Sequence, residues 1–146
     1  MSRSTRLVVL PLVAAAAGIV AGAIVMGLVL LLVRVLPRDG GSWADLGLLV
    51  LGMFLAVATG VAVWVGGLVR AARRLFDAGR RLGVVIAAVA AVFVVALAWS
   101  VLAGVLDDGA GLPAAASNSL SWLGVLLALA VPSVVFRLWD RRAISP

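Results

Sequence analysis

The stretch LGVVIAAVAAVFVVALAWSVLAGVL, from Leu82 to Leu106, decides the fold. Its 25 residues carry no charge, and Ser100 is the one hydroxyl among them. A helix of about 20 residues crosses ~30 Å of hydrocarbon at 1.5 Å per residue. Val and Ile favour strands in water. In lipid, however, the backbone must satisfy its own hydrogen bonds, so a lone apolar segment becomes a helix. Solvent overrides propensity here.

Three further runs read the same way, giving expected spans over residues 7–33, 45–69, 82–106 and 120–138. The composition agrees: 65% of the chain is hydrophobic and only 12% charged, too little polar surface to coat a water-soluble globule. Arg3 and Arg6 followed by an apolar run resemble a secretory signal, with Ala21-Gly22-Ala23 resembling a cleavage site. The run continues to Val33, well past an h-region of about 7–15 residues, so it is read as an uncleaved first span.

Short polar breaks separate the runs. Pro37 and Asp39-Gly40-Gly41 have turn chemistry. Ser42-Trp43-Ala44-Asp45 has the shape of a capping box. Asp107-Asp108-Gly109 is expected to close the third helix, and Ser117-Asn118-Ser119 to cap the fourth. Short connections make neighbouring helices antiparallel. The expected fold is all-α: a four-helix antiparallel transmembrane bundle, one integral membrane domain over residues 1–146.

Arginine sets the expected orientation. With the N-terminus in the cytoplasm, ten of the twelve Arg lie inside, in the segments 3–6, 70–81 and 137–142; only Arg34 and Arg38 lie outside. Four of the six Asp fall outside, giving +8 inside and −2 outside. Positive charge is retained on the cytoplasmic side of membrane proteins, so the bundle is expected N-in/C-in. Arg34 is expected to snorkel to the outer headgroups beside Asp39. Trp43 and Trp122 fall at the outer interface and Trp64 and Trp139 at the inner one, as an aromatic belt places them. Trp99 lies deeper. All the basic residues are Arg, and Ala, Val and Gly abound, as a GC-rich bacterial genome would produce. The expected location is the bacterial cytoplasmic (inner) membrane.

Catalytic groups are scarce. The chain has no His, Cys, Glu, Lys or Tyr, and Asp occurs only at the ends of the apolar runs. A Ser without a base is no nucleophile, and coupled transport relies on ionisable groups at mid-membrane. No catalytic residue, cofactor or metal is expected. Thr59, Ser100, Ser121 and Ser133 are read as bonding back to their own helix or across to a neighbour. Pro132 removes a donor late in the fourth span and is expected to kink it.

Small residues recur every four positions at Ala14, Gly18 and Gly22, at Ala23 and Gly27, at Ala56 and Gly60, and at Ala96, Ser100 and Gly104. Such faces let helix backbones approach closely in lipid. They serve packing within the bundle, or else association with a membrane partner or a second copy. In the segment 70–81, Arg70, Arg73, Arg74, Asp77 and Arg81 fall at helical spacing, with Arg80 beside them. The second helix is expected to run on as an interfacial turn ending near Gly79, with these arginines contacting anionic lipid at ~1 kcal/mol each. The net charge of +6 is taken as topogenic and lipid-directed, not nucleic-acid-binding. The sequence points to a non-enzymatic accessory or assembly subunit of a larger membrane complex. The alternative is a minimal homo-oligomeric transporter or channel with its path between protomers.

Overall fold

The computed structural model describes residues 2–35, 42–110 and 114–142, the side chains of 42–45, 107–110, 114–117, 120 and 121 excepted. Among the described residues there are four helices and no strand: α1 (Arg3–Val35), α2 (Ser42–Leu75), α3 (Ala78–Ala110) and α4 (Ala114–Arg142). All four are long and apolar enough to cross a membrane, with mean hydropathy between 1.8 and 2.8 in their most apolar windows. Only 6–22% of each window is buried within the chain. The remaining apolar surface has to meet lipid or another protein, which is the make-up of a multi-pass membrane protein.

The helices overrun the apolar runs, because a helix in the headgroup region keeps its backbone bonds while changing only its side chains. α1 begins at a cap: Ser2 Oγ accepts the Thr5 backbone N–H at 3.3 Å. That satisfies one of the donors every helix start leaves open. α2 continues through Arg70–Leu75, so the segment 70–81 is no loop. Only Phe76 and Asp77 join α2 to α3, and Gly79, expected to end the interfacial turn, lies in the first turn of α3. The helix-forming alanines Ala71 and Ala72 carry α2 to this point. α3 runs through the expected stop at Asp107-Asp108-Gly109 to Ala110; the stronger stop signal in the sequence is Pro113. α4 starts at Ala114, which puts Ser117-Asn118-Ser119 inside the helix rather than at its cap. Three consecutive alanines, the best helix formers, account for the extra turn. The turn expected at Pro37 to Gly41, including Arg38 and Asp39, lies outside the described residues, as do the side chains of the Ser42–Asp45 box.

The chain divides into two compact units, Val13–Leu68 and Met1–Leu12 with Val69–Pro146. In the first, α1 and α2 run antiparallel and meet through small residues. A Cβ added at Gly18 would lie 2.7 Å from the Gly60 carbonyl oxygen, and one at Gly60 would lie 3.0 Å from the Gly18 carbonyl oxygen. One turn further, a Cβ at Gly22 would sit 3.0 Å from the Ala56 carbonyl oxygen; a Cβ at Gly67 would sit 2.6 Å from Ala14 Cβ. The contacts of Gly18 with Gly60 and of Gly22 with Ala56 are backbone to backbone, an approach that small residues permit. The Cα and Cβ of Trp64 also stand against Gly18, and the branched side chain of Val29 fills the space above Gly52.

The second unit holds the start of α1, the last turns of α2, and α3 and α4. Its core is made of larger side chains. Leu7, Phe76, Val84, Val85 and Phe136 are buried, and Phe136 is fully so. The Phe76 and Phe136 rings meet edge to face, 5.5 Å between centroids at 89°. Pro11 and Pro132 are also fully buried. Each lacks the N–H that would bond the carbonyl one turn back, at Leu7 and Ala128. α3 and α4 are antiparallel, and two indoles mark the pairing: Trp139 packs over Gly83, and Trp99 over Gly124.

Candidate functional site

Within the second unit, α1 starts, α2 hands over to α3, and α4 ends, all at one end of the helices. The contacts that gather them are few and specific. Ser133 Oγ on α4 donates to the Val8 carbonyl on α1 at 3.2 Å. Arg3 donates to Asp140 Oδ1 at 2.7 Å, joining the first turn of α1 to the last turn of α4. Arg81 Nε donates to the Phe76 carbonyl at 2.9 Å and so caps the end of α2. The Arg80 backbone N–H bonds the Asp77 carbonyl at 3.0 Å, starting α3 at once. The three Arg-rich segments of the sequence therefore share one end.

Two adjoining clefts of about 310 and 370 Å³ open there. Arg6, Arg74 and Leu75 line both; Arg3 completes the first, and Val9 and Leu10 the second. Arginines of α1 and α2 thus line these clefts together with apolar side chains of both helices. Among the described residues, the pair of Arg3 with Asp140 is the one ion pair, and neither Arg6 nor Arg74 is ion-paired. The positive end of the α1 dipole adds to the same field. Chemically, this arrangement can take an anion whose body is apolar.

Of the five arginines expected to contact lipid, Arg74 lines this cleft. Arg81 is half-buried, with its Nε committed to a carbonyl, while Arg70, Arg73 and Arg80 are exposed. Arg3 and Arg6 carry the site from the other side; the sequence marked them only as topogenic charge. Their i, i+3 spacing on an incoming helix was the available signal, but their partner on α2 lies 68 positions beyond Arg6.

The expected seam residues separate into two groups. Ala14, Gly18 and Gly22 meet α2. Ala96, Ser100 and Gly104 are exposed on α3, and a Cβ at Gly104 would meet nothing within 4 Å. Ser100 Oγ donates to the Ala96 carbonyl of its own helix at 2.8 Å. Gly27, which also falls in a four-residue repeat, has open space around it. Arg34 lies exposed in the last turn of α1, where the helix dipole favours a cation. Sequence reading missed the pairing of Trp64, Trp99 and Trp139 with glycines of a neighbouring helix. Among the described residues, no three of His, Cys, Asp and Glu come together to hold a metal ion. Comparison with protein-family models, curated proteins and solved structures finds no match.

Proposed function

We propose that this chain is a non-enzymatic accessory or assembly subunit that packs, within the bilayer, against a larger membrane complex. It is read as a four-helix antiparallel bundle forming one membrane domain, N-in/C-in, in a bacterial cytoplasmic membrane. The observation that carries this is the outward face of α3. Ala96, Ser100 and Gly104 lie open there, and Phe93, Val94, Leu97, Val101 and Val105 beside them are 61–72% exposed. α1 and α2 use the same kind of surface for each other; α3 leaves its copy bare. The Ser100 hydroxyl is spent on its own helix, which weakens the alternative of a hydroxyl-lined transport path between protomers.

Extraction in native lipid nanodiscs, followed by mass measurement, tests the reading. The expected result is a heteromeric particle that loses its partner in the double variant Ala96→Leu, Gly104→Leu while helix content stays unchanged. A homo-oligomer that dissociates in the same variant would transfer support to the transporter or channel. A lone protomer, or an association indifferent to α3, would remove the reading. The orientation is tested separately, since the chain has no native Cys. Single cysteines at Ser2 and Gly79 should be shielded in intact cells, and those at Gly41 and Gly111 labelled from outside.

A further inference from the structure

We infer that the cleft between Arg6 of α1 and Arg74 of α2 is a binding site for the phosphodiester of an anionic phospholipid, its acyl chain lying along Val9, Leu10 and Leu75. The inference rests on the chain being a membrane protein and is independent of the subunit role.

Three features of the cleft converge on this ligand. The first is charge. Arg6 and Arg74 approach the same space from different helices, and neither is ion-paired among the described residues. Guanidinium offers a planar fork of donors matched to phosphate oxygens. The second is shape. The larger cleft, about 370 Å³, combines those guanidiniums with three apolar side chains, so its mouth suits a headgroup and its wall a hydrocarbon chain. A soluble dianion would gain nothing from Val9, Leu10 and Leu75. The third is position. The cleft lies at the Arg-rich end of helices that cross the membrane, the level at which lipid phosphates sit.

Asp140 has a defined part as a positioning residue. It takes one N–H of Arg3 at 2.7 Å while Arg3 remains 67% exposed. The carboxylate offsets part of the Arg3 charge and holds this guanidinium at the rim of the smaller cleft, with donors left over for a ligand. Arg6 and Arg74 thus supply the net charge, and Arg3 supplies directional hydrogen bonds.

Native mass spectrometry of the full chain tests this, using the protein loaded from bilayers of phosphatidylcholine with a minor share of phosphatidylglycerol. The expected result is retention of one phosphatidylglycerol per protomer. Retention should fall about fivefold for each guanidinium removed in Arg6→Gln and Arg74→Gln. The charge-matched control Arg137→Gln, Arg141→Gln should keep the lipid within about a factor of two, because both residues are exposed and lie outside the cleft. Equal losses in cleft and control variants would reduce the effect to diffuse surface attraction and overturn the site. Equal retention of phosphatidylcholine would overturn the anion preference. Displacement by excess inorganic phosphate would overturn the acyl-chain contact and reassign the cleft to free phosphate. Circular dichroism of each variant separates loss of lipid from loss of fold. None of these results bears on whether α3 has a protein partner.

Discussion

The glycine seam of Val13–Leu68 and the aromatic junction at the Arg-rich end solve one problem by opposite means. In the seam, carbonyl oxygens of one helix come close to the glycines of the other, so contact is made by backbone that cannot rotate out of the way. At the junction, the Phe76 and Phe136 rings meet edge to face in a core where Leu7, Val84 and the two prolines are also buried, so contact is made by side chains with rotamers to choose from. The surroundings explain the difference. Lipid tails are as apolar as Leu, so helices inside the bilayer gain little by exchanging tail for side chain; close van der Waals contact must hold them together. Near the headgroups water is within reach, and removing large rings from it is favourable in its own right. Polar contacts concentrate at the same end: Arg3 with Asp140, Ser133 with Val8, and Arg81 with Phe76.

The largest break should come from the junction. Phe136→Ala removes a fully buried ring at the meeting of α4 with Phe76. Large-to-small changes at such sites cost about 3–5 kcal/mol. Reversible unfolding in mixed micelles should show this loss. A cycle with Phe76→Ala should return a coupling of about 0.5–1.5 kcal/mol for the edge-to-face pair. Additive losses would mean that the rings fill space without recognising one another.

The seam should respond to addition rather than removal. A methyl group at Gly18 meets a carbonyl oxygen at 2.7 Å and the Trp64 Cβ at 2.9 Å, and neither is the loose end of a flexible chain. Gly18→Ala must therefore push α1 and α2 apart, at about 1–3 kcal/mol. Gly27→Ala, in the same helix with open space around it, should be neutral or gain up to about 1 kcal/mol from helix propensity. Equal effects at the two positions would show that the seam is not in close contact in the bilayer.

That pair of glycines also marks how far the sequence can be read. Four helices were legible because hydrophobic length speaks directly to a 30 Å barrier. Small-residue spacing was legible too, but it is identical at Gly18–Gly22, which is packed, and at Ala96–Ser100–Gly104, which is bare. Spacing states that a face is narrow; it does not state what covers it. Phe76 and Phe136 lie 60 positions apart with no pattern linking them. Trp64 and Trp139 were placed by their affinity for interfaces and Trp99 deeper, while all three also stand against glycines of a neighbouring helix, a contact that exists only once helix register is set. The cleft escaped for a related reason. Arg3 and Arg6 had a sufficient local explanation as topogenic charge and Arg74 as one of five arginines facing anionic lipid, and only the meeting of α1 with α2 makes them a site.

The two serines sharpen the comparison at its smallest scale. Ser133 Oγ reaches from α4 to the Val8 carbonyl at 3.2 Å, whereas Ser100 Oγ turns back to Ala96 within α3 at 2.8 Å. Geometry alone would rank the shorter bond as the stronger. The thermodynamic ranking runs the other way, because stability depends on what changes on unfolding. The Ser100 bond survives wherever α3 remains helical, separated from its neighbours or not, so Ser100→Ala should leave unfolding unchanged. The Ser133 bond exists only while α1 and α4 are docked. Its loss should cost about 0.6 kcal/mol, the usual size of a hydrogen bond between membrane helices. The Val8 carbonyl still has the Leu12 N–H one turn on, so Ser133→Ala orphans no acceptor and the cost stays small. A larger loss for Ser100→Ala than for Ser133→Ala would mean that the α3 face is covered and Ser100 engaged in a contact between helices.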